Sequence, residues 1–497
     1  MTNKPQSKFL AALLGPPLFI SYLFIGFEIF HISTFSFTYF DFFFLFFVLW
    51  CCKRIIWNGD TFNIEKKYFV ICLFALPILC LTSAINPMFL NFDNLNVLQY
   101  VKSSTNFIYC ISFAILCSGL DIPIVLWING LRGLVMFSIP INLFGGYQLI
   151  ARVYDLPLKQ LEYNAVNFIT KLENPDGPPT QLALNFENFY RATSVFSEPS
   201  YLAMYNSTIL MICMVSAFLG STLLIKNKKW LWTFAIVAII GNFLTFSLTA
   251  VVTIATYVGA LFLLEYGGKK KMKIVYSMLL LFLLLFPINY VIEDISKISL
   301  LNLFEQRISS VATLNHSESI SGESFFYRAS TMNLAISIWK DSPIFGVGTG
   351  MFFYYAPLYY PSYYGTIIYT DSGFIQALTE WGVLGFVFFL GFVVTIIISS
   401  ILERKNFRNY QENPLTILLY LLPYFGLMML WLNTSQNSLI SRIFWMYAGC
   451  SISLLRYFYN QNNKPVYTFK LFTVPLKERF IKNMTPNLPT KEILNEQ

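Results

Sequence analysis

Apolar runs of roughly 18 to 25 residues recur along almost the whole chain, and a helix of that length crosses a bilayer core. No water-soluble packing buries so many runs of that kind. Of the 497 residues, 56% are hydrophobic and only 12% charged. A soluble domain carries about 25% charged residues. The sequence therefore predicts an all-α, polytopic integral membrane protein, with backbone hydrogen bonds closed inside each span.

Twelve spans can be drawn: about 9–29, 35–51, 68–85, 100–118, 122–144, 198–224, 230–246, 248–266, 274–291, 373–401, 414–432 and 439–456. The connection around Ser118–Ile122 is very short and carries no basic residue, so a re-entrant segment there would shift the parity. Even parity puts both termini on one side, and basic residues choose the side. Of the 34 lysines and arginines, 23 fall in segments read as cytoplasmic, including Lys53, Arg54, the Lys226–Lys229 and Lys269–Lys273 clusters and the tail. The net charge of +8 is thus mostly a topology signal, and no nucleic-acid partner is needed to explain it. The expected organisation is spans 1–5 over 1–144, a first large outer loop over 145–197, spans 6–9 over 198–291, a second large outer loop over 292–372, spans 10–12 over 373–457, and a basic cytoplasmic tail over 458–497.

The first apolar run follows Lys4 and Lys8, lacks a small-x-small cleavage site and is read as a retained helix rather than a signal peptide. The eight cysteines sit in spans or at a cytoplasmic end, outside both long loops, which argues against a disulfide framework; no spacing suggests a metal site. The tail is most simply an anchor to anionic headgroups.

Long loops that are not linkers usually carry function. The first ends Arg191-Ala-Thr-Ser-Val-Phe-Ser-Glu-Pro-Ser200. Pro199 suits a first helical turn and Ser197 an N-cap, so an ordinary helix start with a solvated arginine competes with a site role. The second loop holds Phe325 to Lys340, apolar at helical spacing with Arg328 among them: a short amphipathic helix, stopped by Asp341-Ser-Pro343. Gly346-Val-Gly348-Thr-Gly350 follows as a flexible turn and lacks the context of a nucleotide loop. Six tyrosines fall within 352–364; Tyr354, Tyr355, Tyr359 and Tyr360 are candidate sugar contacts, although an interfacial aromatic belt explains them equally. Asp371 precedes the tenth span, where an N-cap is its commonplace role. Glu380 and Arg132 lie inside spans, where a charge is costly, and form a candidate intramembrane polar pair.

Together these pieces resemble the bacterial O-antigen polymerases of the Wzy type and the related O-antigen ligases, multi-span proteins with large periplasmic loops. Arg191…Phe196-x-Glu198-Pro199-Ser200 is similar to their Arg-x-x-x-x-Phe-x-Glu-Pro-Ser signature. Arg328, then a helix, then Pro343-Ile-Phe-Gly346-Val-Gly348-x-Gly350 resembles their second-loop pattern. Ligases then carry His-(Asn/Ser/Gln)-x9-Gly-x-x-Gly. Here Ser372, Gly382 and Gly385 keep that frame, and Asp371 replaces the histidine. That departure speaks for a polymerase over a ligase. The motifs cover about 190–200 and 328–385 only.

The resemblance implies a glycosyltransferase in the bacterial inner membrane, both termini cytoplasmic, joining undecaprenyl-pyrophosphate-linked oligosaccharide repeats on the periplasmic face. Arg191 and Arg328 are then expected on the pyrophosphate, since guanidinium forks two bonds onto phosphate oxygens. Asp371 is the first choice for the base and Glu198 the second. No cofactor or metal is expected, and inversion follows from direct displacement. Membrane lipids are partners, and a chain-length-regulating co-polymerase is a candidate partner. Two alternatives compete: an O-antigen ligase transferring glycan to lipid A-core, and a lipid-linked oligosaccharide flippase, which has shorter loops and often related halves.

Overall fold

A computed structural model describes residues 5–32, 35–65, 67–90, 93–162, 181, 185–186, 189–264, 325–360, 370, 372–406, 413–435, 439–461 and 468–470, with scattered positions between 272 and 309. The described chain is predominantly helical. In order come α1 (Pro5–Ser21), the hairpin β1 (Glu28–Ile32) and β2 (Phe35–Thr38), α2 (Tyr39–Ile56), β3 (Asn63–Glu65), α3 (Tyr68–Thr82), α4 (Asn94–Gly119), α5 (Ile124–Met136), α6 (Ser138–Val153), the short pair β4 (Asn185–Phe186) and β5 (Phe189–Tyr190), and α7 (Pro199–Leu219). Then follow α8 (Lys228–Thr245), α9 (Leu248–Leu264), α10 (Phe325–Asp341), α11 (Phe352–Tyr359), α12 (Gly373–Asn406), α13 (Thr416–Ser435), α14 (Arg442–Gln461) and β6 (Thr468–Lys470).

Among the described residues, five helical stretches are long and apolar enough to cross a membrane: Tyr68–Phe89, Ile124–Val153, Pro199–Leu219, Gly373–Asn406 and Thr416–Thr434. Lys8–Phe24 and Leu248–Leu264 are shorter apolar helices. Every other expected span also coincides with a helix except 274–291, which lies mostly outside the described residues. The short connection after Ser118 joins two separate helices, α4 and α5.

Several boundaries differ from the sequence expectation; the second span, expected from 35, begins as strand β2 and turns helical at Tyr39. The span expected over 122–144 is two helices broken at Phe137, and the second runs on to Val153, past the start expected for the first outer loop. Pro140 explains the break, because it has no N–H and its ring crowds the carbonyl of Met136. The first span ends at Ser21 and yields to a three-residue turn and the β1–β2 hairpin.

α2 starts at a reciprocal cap. The Asp41 amide donates to Thr38 Oγ1 at 3.4 Å, and Asp41 Oδ2 accepts from the Thr38 amide at 2.9 Å. The same buried carboxylate takes Arg442 Nε at 2.6 Å and the Tyr109 hydroxyl at 2.9 Å, so one acid ties α2 to α4 and α14. At the other end Arg456 of α14 donates to Asp121 Oδ1 at 2.8 Å and to the Ser118 and Asn63 carbonyls at 2.6 and 2.7 Å. There β3 pairs antiparallel with β6, so part of the basic tail is a strand against the α2–α3 connection. The core between α4, α12 and α14 is aromatic, with Phe107 edge-on to Trp381 at 4.8 Å.

α6, α7, α8 and α9 are joined by polar side chains. Asn142 and Asn206 exchange two amide bonds of 2.8 Å, and Ser207 takes Asn242 Nδ2 at 3.4 Å and Thr253 Oγ1 at 3.0 Å. Between apolar helices such pairs supply attraction that lipid does not. Gly241 of α8 makes the close approach possible, since a Cβ there would lie 1.8 Å from Asn142 Oδ1. Gly241→Ala is expected to destabilise the protein by about 1–3 kcal/mol, the usual cost of overpacking. Gly146→Ala, where a Cβ meets nothing within 4 Å, is the control. Thermal melts in detergent should fall for the first and hold or rise for the second.

Candidate active site

The segment before α7 is held from three directions. Arg191 is buried, and its Nε donates to the Thr245 carbonyl at 3.1 Å, while the Ala192 amide donates to the Leu244 carbonyl at 2.9 Å. Both bonds satisfy carbonyls at the C-terminus of α8, where a cation also suits the helix dipole. From α6, Arg152 donates Nη1 to the Arg191 carbonyl and Nη2 to Thr193 Oγ1 at 2.9 Å. Its Nε reaches the Lys159 carbonyl at 2.8 Å. Gln181 completes the clamp, donating to the Ser194 and Phe196 carbonyls at 2.6 and 2.9 Å and accepting from Gln148 at 3.2 Å. Arg191 is therefore not the solvated arginine of an ordinary helix start. Arg152, Gln148 and Gln181 escaped the sequence reading; the one local signal for Gln148 and Arg152 was Pro140, in the first turn of the helix that carries them.

The N-cap of α7 is Glu198, with φ −137° and ψ 153°, rather than the expected Ser197; Pro199 occupies the first turn as expected. Glu198 Oε2 accepts from Ser200 Oγ at 3.0 Å and faces Arg328 Nη2 at 3.4 Å. Both side chains keep partial access to solvent, at 25% for Glu198 and 20% for Arg328. Arg328 lies one turn into α10, whose bounds match the helix expected over 325–340. The contact brings together residues 130 positions apart, from the two long segments flagged in the sequence.

α10 leads into the glycine segment, which is ordered rather than a flexible turn. Gly346, Gly348 and Gly350 all have positive φ, at 70°, 106° and 74°. They dock on a break in α12. Gly382 has φ 68° and ψ −166°, which only glycine adopts readily. The break frees backbone groups that the loop then satisfies: the Val347 amide donates to the Thr379 carbonyl at 2.9 Å, the Gly348 amide to the Glu380 carbonyl at 3.0 Å, and the Val383 amide to the Pro343 carbonyl at 2.9 Å. A Cβ on Gly382 would lie 2.0 Å from the Ile344 carbonyl oxygen, and one on Gly346 would lie 2.3 Å from the Glu380 carbonyl carbon. The Pro-hydrophobic-Phe-Gly-x-Gly stretch and the Gly-x-x-Gly frame are thus two halves of one joint. Trp381 Nε1 donates to Thr349 Oγ1 at 2.8 Å, and Thr349 in turn meets Ser83 Oγ at 2.9 Å, fixing the joint to the end of α3.

Arg132 and Glu380 are not brought together. Arg132 donates Nε and Nη2 to the Leu223 carbonyl at 2.9 and 2.5 Å, near the opposite ends of α7 and α8. Glu380 takes Gln376 Nε2 at 3.1 Å and the backbone amides of Gly350 and Phe352. Each charge is satisfied by neighbouring amide and carbonyl groups, which removes the need for a mutual pair. Asp371 lies outside the described residues. Ser372 caps α12 in its place, accepting from the Ile375 amide at 3.4 Å and donating to the Asn433 carbonyl at 3.0 Å.

Of the four tyrosines, Tyr355 donates to Asn86 Oδ1 at 3.1 Å and Tyr359 to the Asp341 carboxylate, while Tyr360 is exposed. Tyr354 is half-buried; burial, with Asp93 nearby, pushes its hydroxyl above the ordinary phenol range.

Glu198 and Arg328 are thus in contact and partly exposed, while Arg191 is buried. No curated protein matches the chain. Residues 233–390, which contain Arg328, the glycine loop and the α12 break but neither Arg191 nor Glu198, match the family model described as O-Antigen ligase, so this part of the chain is similar to that family.

Proposed function

We propose that the protein is an O-antigen, or related surface-polysaccharide, polymerase acting at the periplasmic face of a bacterial inner membrane, with both termini cytoplasmic. The observation that carries the proposal is the Glu198–Arg328 contact, which joins the two loop motifs at one place. Arg328 takes the diphosphate of an undecaprenyl-pyrophosphate-linked glycan, while Arg191, buried with its Nε on the Thr245 carbonyl, holds in place the segment that presents Glu198. Guanidinium is always charged and forks onto phosphate oxygens, so it neutralises the leaving group without requiring a metal. An acceptor hydroxyl on a second lipid-linked repeat attacks the anomeric carbon. The bond to the diphosphate oxygen breaks with its electron pair, and the hydroxyl proton passes to a carboxylate. Asp371 is the first candidate for that base. Glu198 is the second, and a diphosphate arriving at Arg328 competes for the guanidinium and releases it. Direct displacement inverts the anomeric centre. The lipid-pyrophosphate bond supplies the driving force, so no nucleotide is consumed. A chain-length-regulating co-polymerase is the protein partner we expect.

The ligase reading stands second, because the matching family model carries that description. Asp371 in place of histidine weighs against it. The flippase reading draws no support from the family match. Deletion of the gene in its host, read on a lipopolysaccharide gel with and without complementation, separates the polymerase from the other two. A single repeat on core means that polymerisation alone is lost. Core with no repeat contradicts a polymerase and points to the ligase or flippase.

A further inference from the structure

We infer that Glu380 is a positioning residue: its carboxylate anchors the glycine loop to the broken helix and thereby sets the helices that carry Arg328 and the tyrosines. Four observations converge on it. The side chain is 1% exposed inside an apolar helix, so its polar atoms need partners from protein. Those partners include the amides of Gly350 and Phe352, the last residue of the glycine segment and the first of α11. Gln376, one turn earlier on the same helix, donates to it at 3.1 Å and fixes its direction. Its own carbonyl, released by the Gly382 break, takes the Gly348 amide at 3.0 Å. One residue thus receives amides from three positions of a five-residue stretch, Gly348, Gly350 and Phe352.

What the loop connects gives the anchor its consequence. α10 ends at Asp341 and α11 begins at Phe352, so the loop between them fixes where both start and end. Thr379, the residue before Glu380, also donates to the Ala335 carbonyl of α10 at 3.2 Å. Arg328 lies about two turns before Ala335 on α10. Glu380 touches no reacting atom in this account. It acts through the loop, and its effect on catalysis rests on the proposed glycosyl transfer.

The test compares E380Q, E380A and E380D in the full chain reconstituted in nanodiscs. Hydrogen exchange of the 343–352 peptide is read first, because it does not depend on any activity. Loss of the acceptor in E380A is expected to speed exchange there about tenfold, the scale of one lost buried hydrogen bond. E380Q keeps the reach and one acceptor oxygen and is expected between E380A and the natural protein. E380D keeps the charge but falls short of the amides, and is expected to resemble E380A; it also serves if E380A fails to accumulate. Chain elongation should rank the variants in the same order. Natural exchange rates in E380A and E380D overturn the anchor. So does an E380Q as defective as E380A, which makes ionisation rather than acceptance the essential property. If exchange follows the order but no variant elongates glycan, the anchor stands and the proposed activity fails.

Discussion

Gly382→Ala is expected to lower chain elongation by an order of magnitude or more and to loosen residues 343–350 from α12. Two independent costs act at this position. The backbone at φ 68° and ψ −166° lies where a residue with a Cβ is strained by about 1–3 kcal/mol. The added Cβ would also lie 2.0 Å from the Ile344 carbonyl oxygen, a backbone atom that cannot swing aside. The helix can relieve both by straightening through position 382. Straightening returns the Thr379 and Glu380 carbonyls to their own helix and takes them from Val347 and Gly348. The loop then loses its bonds, and Arg328 loses its fixed platform. The variant should still reach the membrane, because α12 remains a long apolar helix. Protease susceptibility of the 343–350 segment, alongside an elongation assay, reads both consequences. Elongation within about threefold of the natural protein would show that the break is incidental to function, since a tenfold change corresponds to about 1.4 kcal/mol.

Arg328→Ala should abolish chain growth while leaving the amount of protein in the membrane unchanged. The side chain is partly exposed and its contact with Glu198 is 3.4 Å, so the ion pair contributes little to stability. Its value lies in the ligand. Each charge-assisted bond to a phosphate oxygen contributes about 1.5–3 kcal/mol, so losing a forked pair removes two to four orders of magnitude. Arg328→Lys keeps charge without the fork and should remain well below the natural protein. Normal long-chain glycan in Arg328→Ala would remove this residue from the site.

The sequence made the membrane class and most helix positions readable, because apolar runs and helical spacing are local. The α10 helix and the first-turn Pro199 were visible for the same reason. The glycines were visible as glycines but not as a joint. What Gly346 and Gly382 share is a contact across more than thirty positions, and no local pattern reports it. Arg132 and Glu380 were paired in expectation because the sequence shows charges and hides backbone. Their partners include backbone carbonyls and amides, which no letter reveals, alongside the side chains of Gln376 and Asn129. Gln148 and Arg152 were missed because the span expected over 122–144 ended too early, and Gln181 lies outside any helix. Once Pro140 is read as a break rather than as mid-span, a new helical segment follows it and places Gln148 and Arg152 on one face.

The most direct measurement is elongation by the purified protein in nanodiscs, given only a synthetic polyprenyl-pyrophosphate-linked repeat. A ladder of lipid-linked products, lost in Arg328→Ala, is the predicted result. No ladder with the repeat alone, but transfer once lipid A-core is added, would contradict the polymerase account and establish the ligase instead.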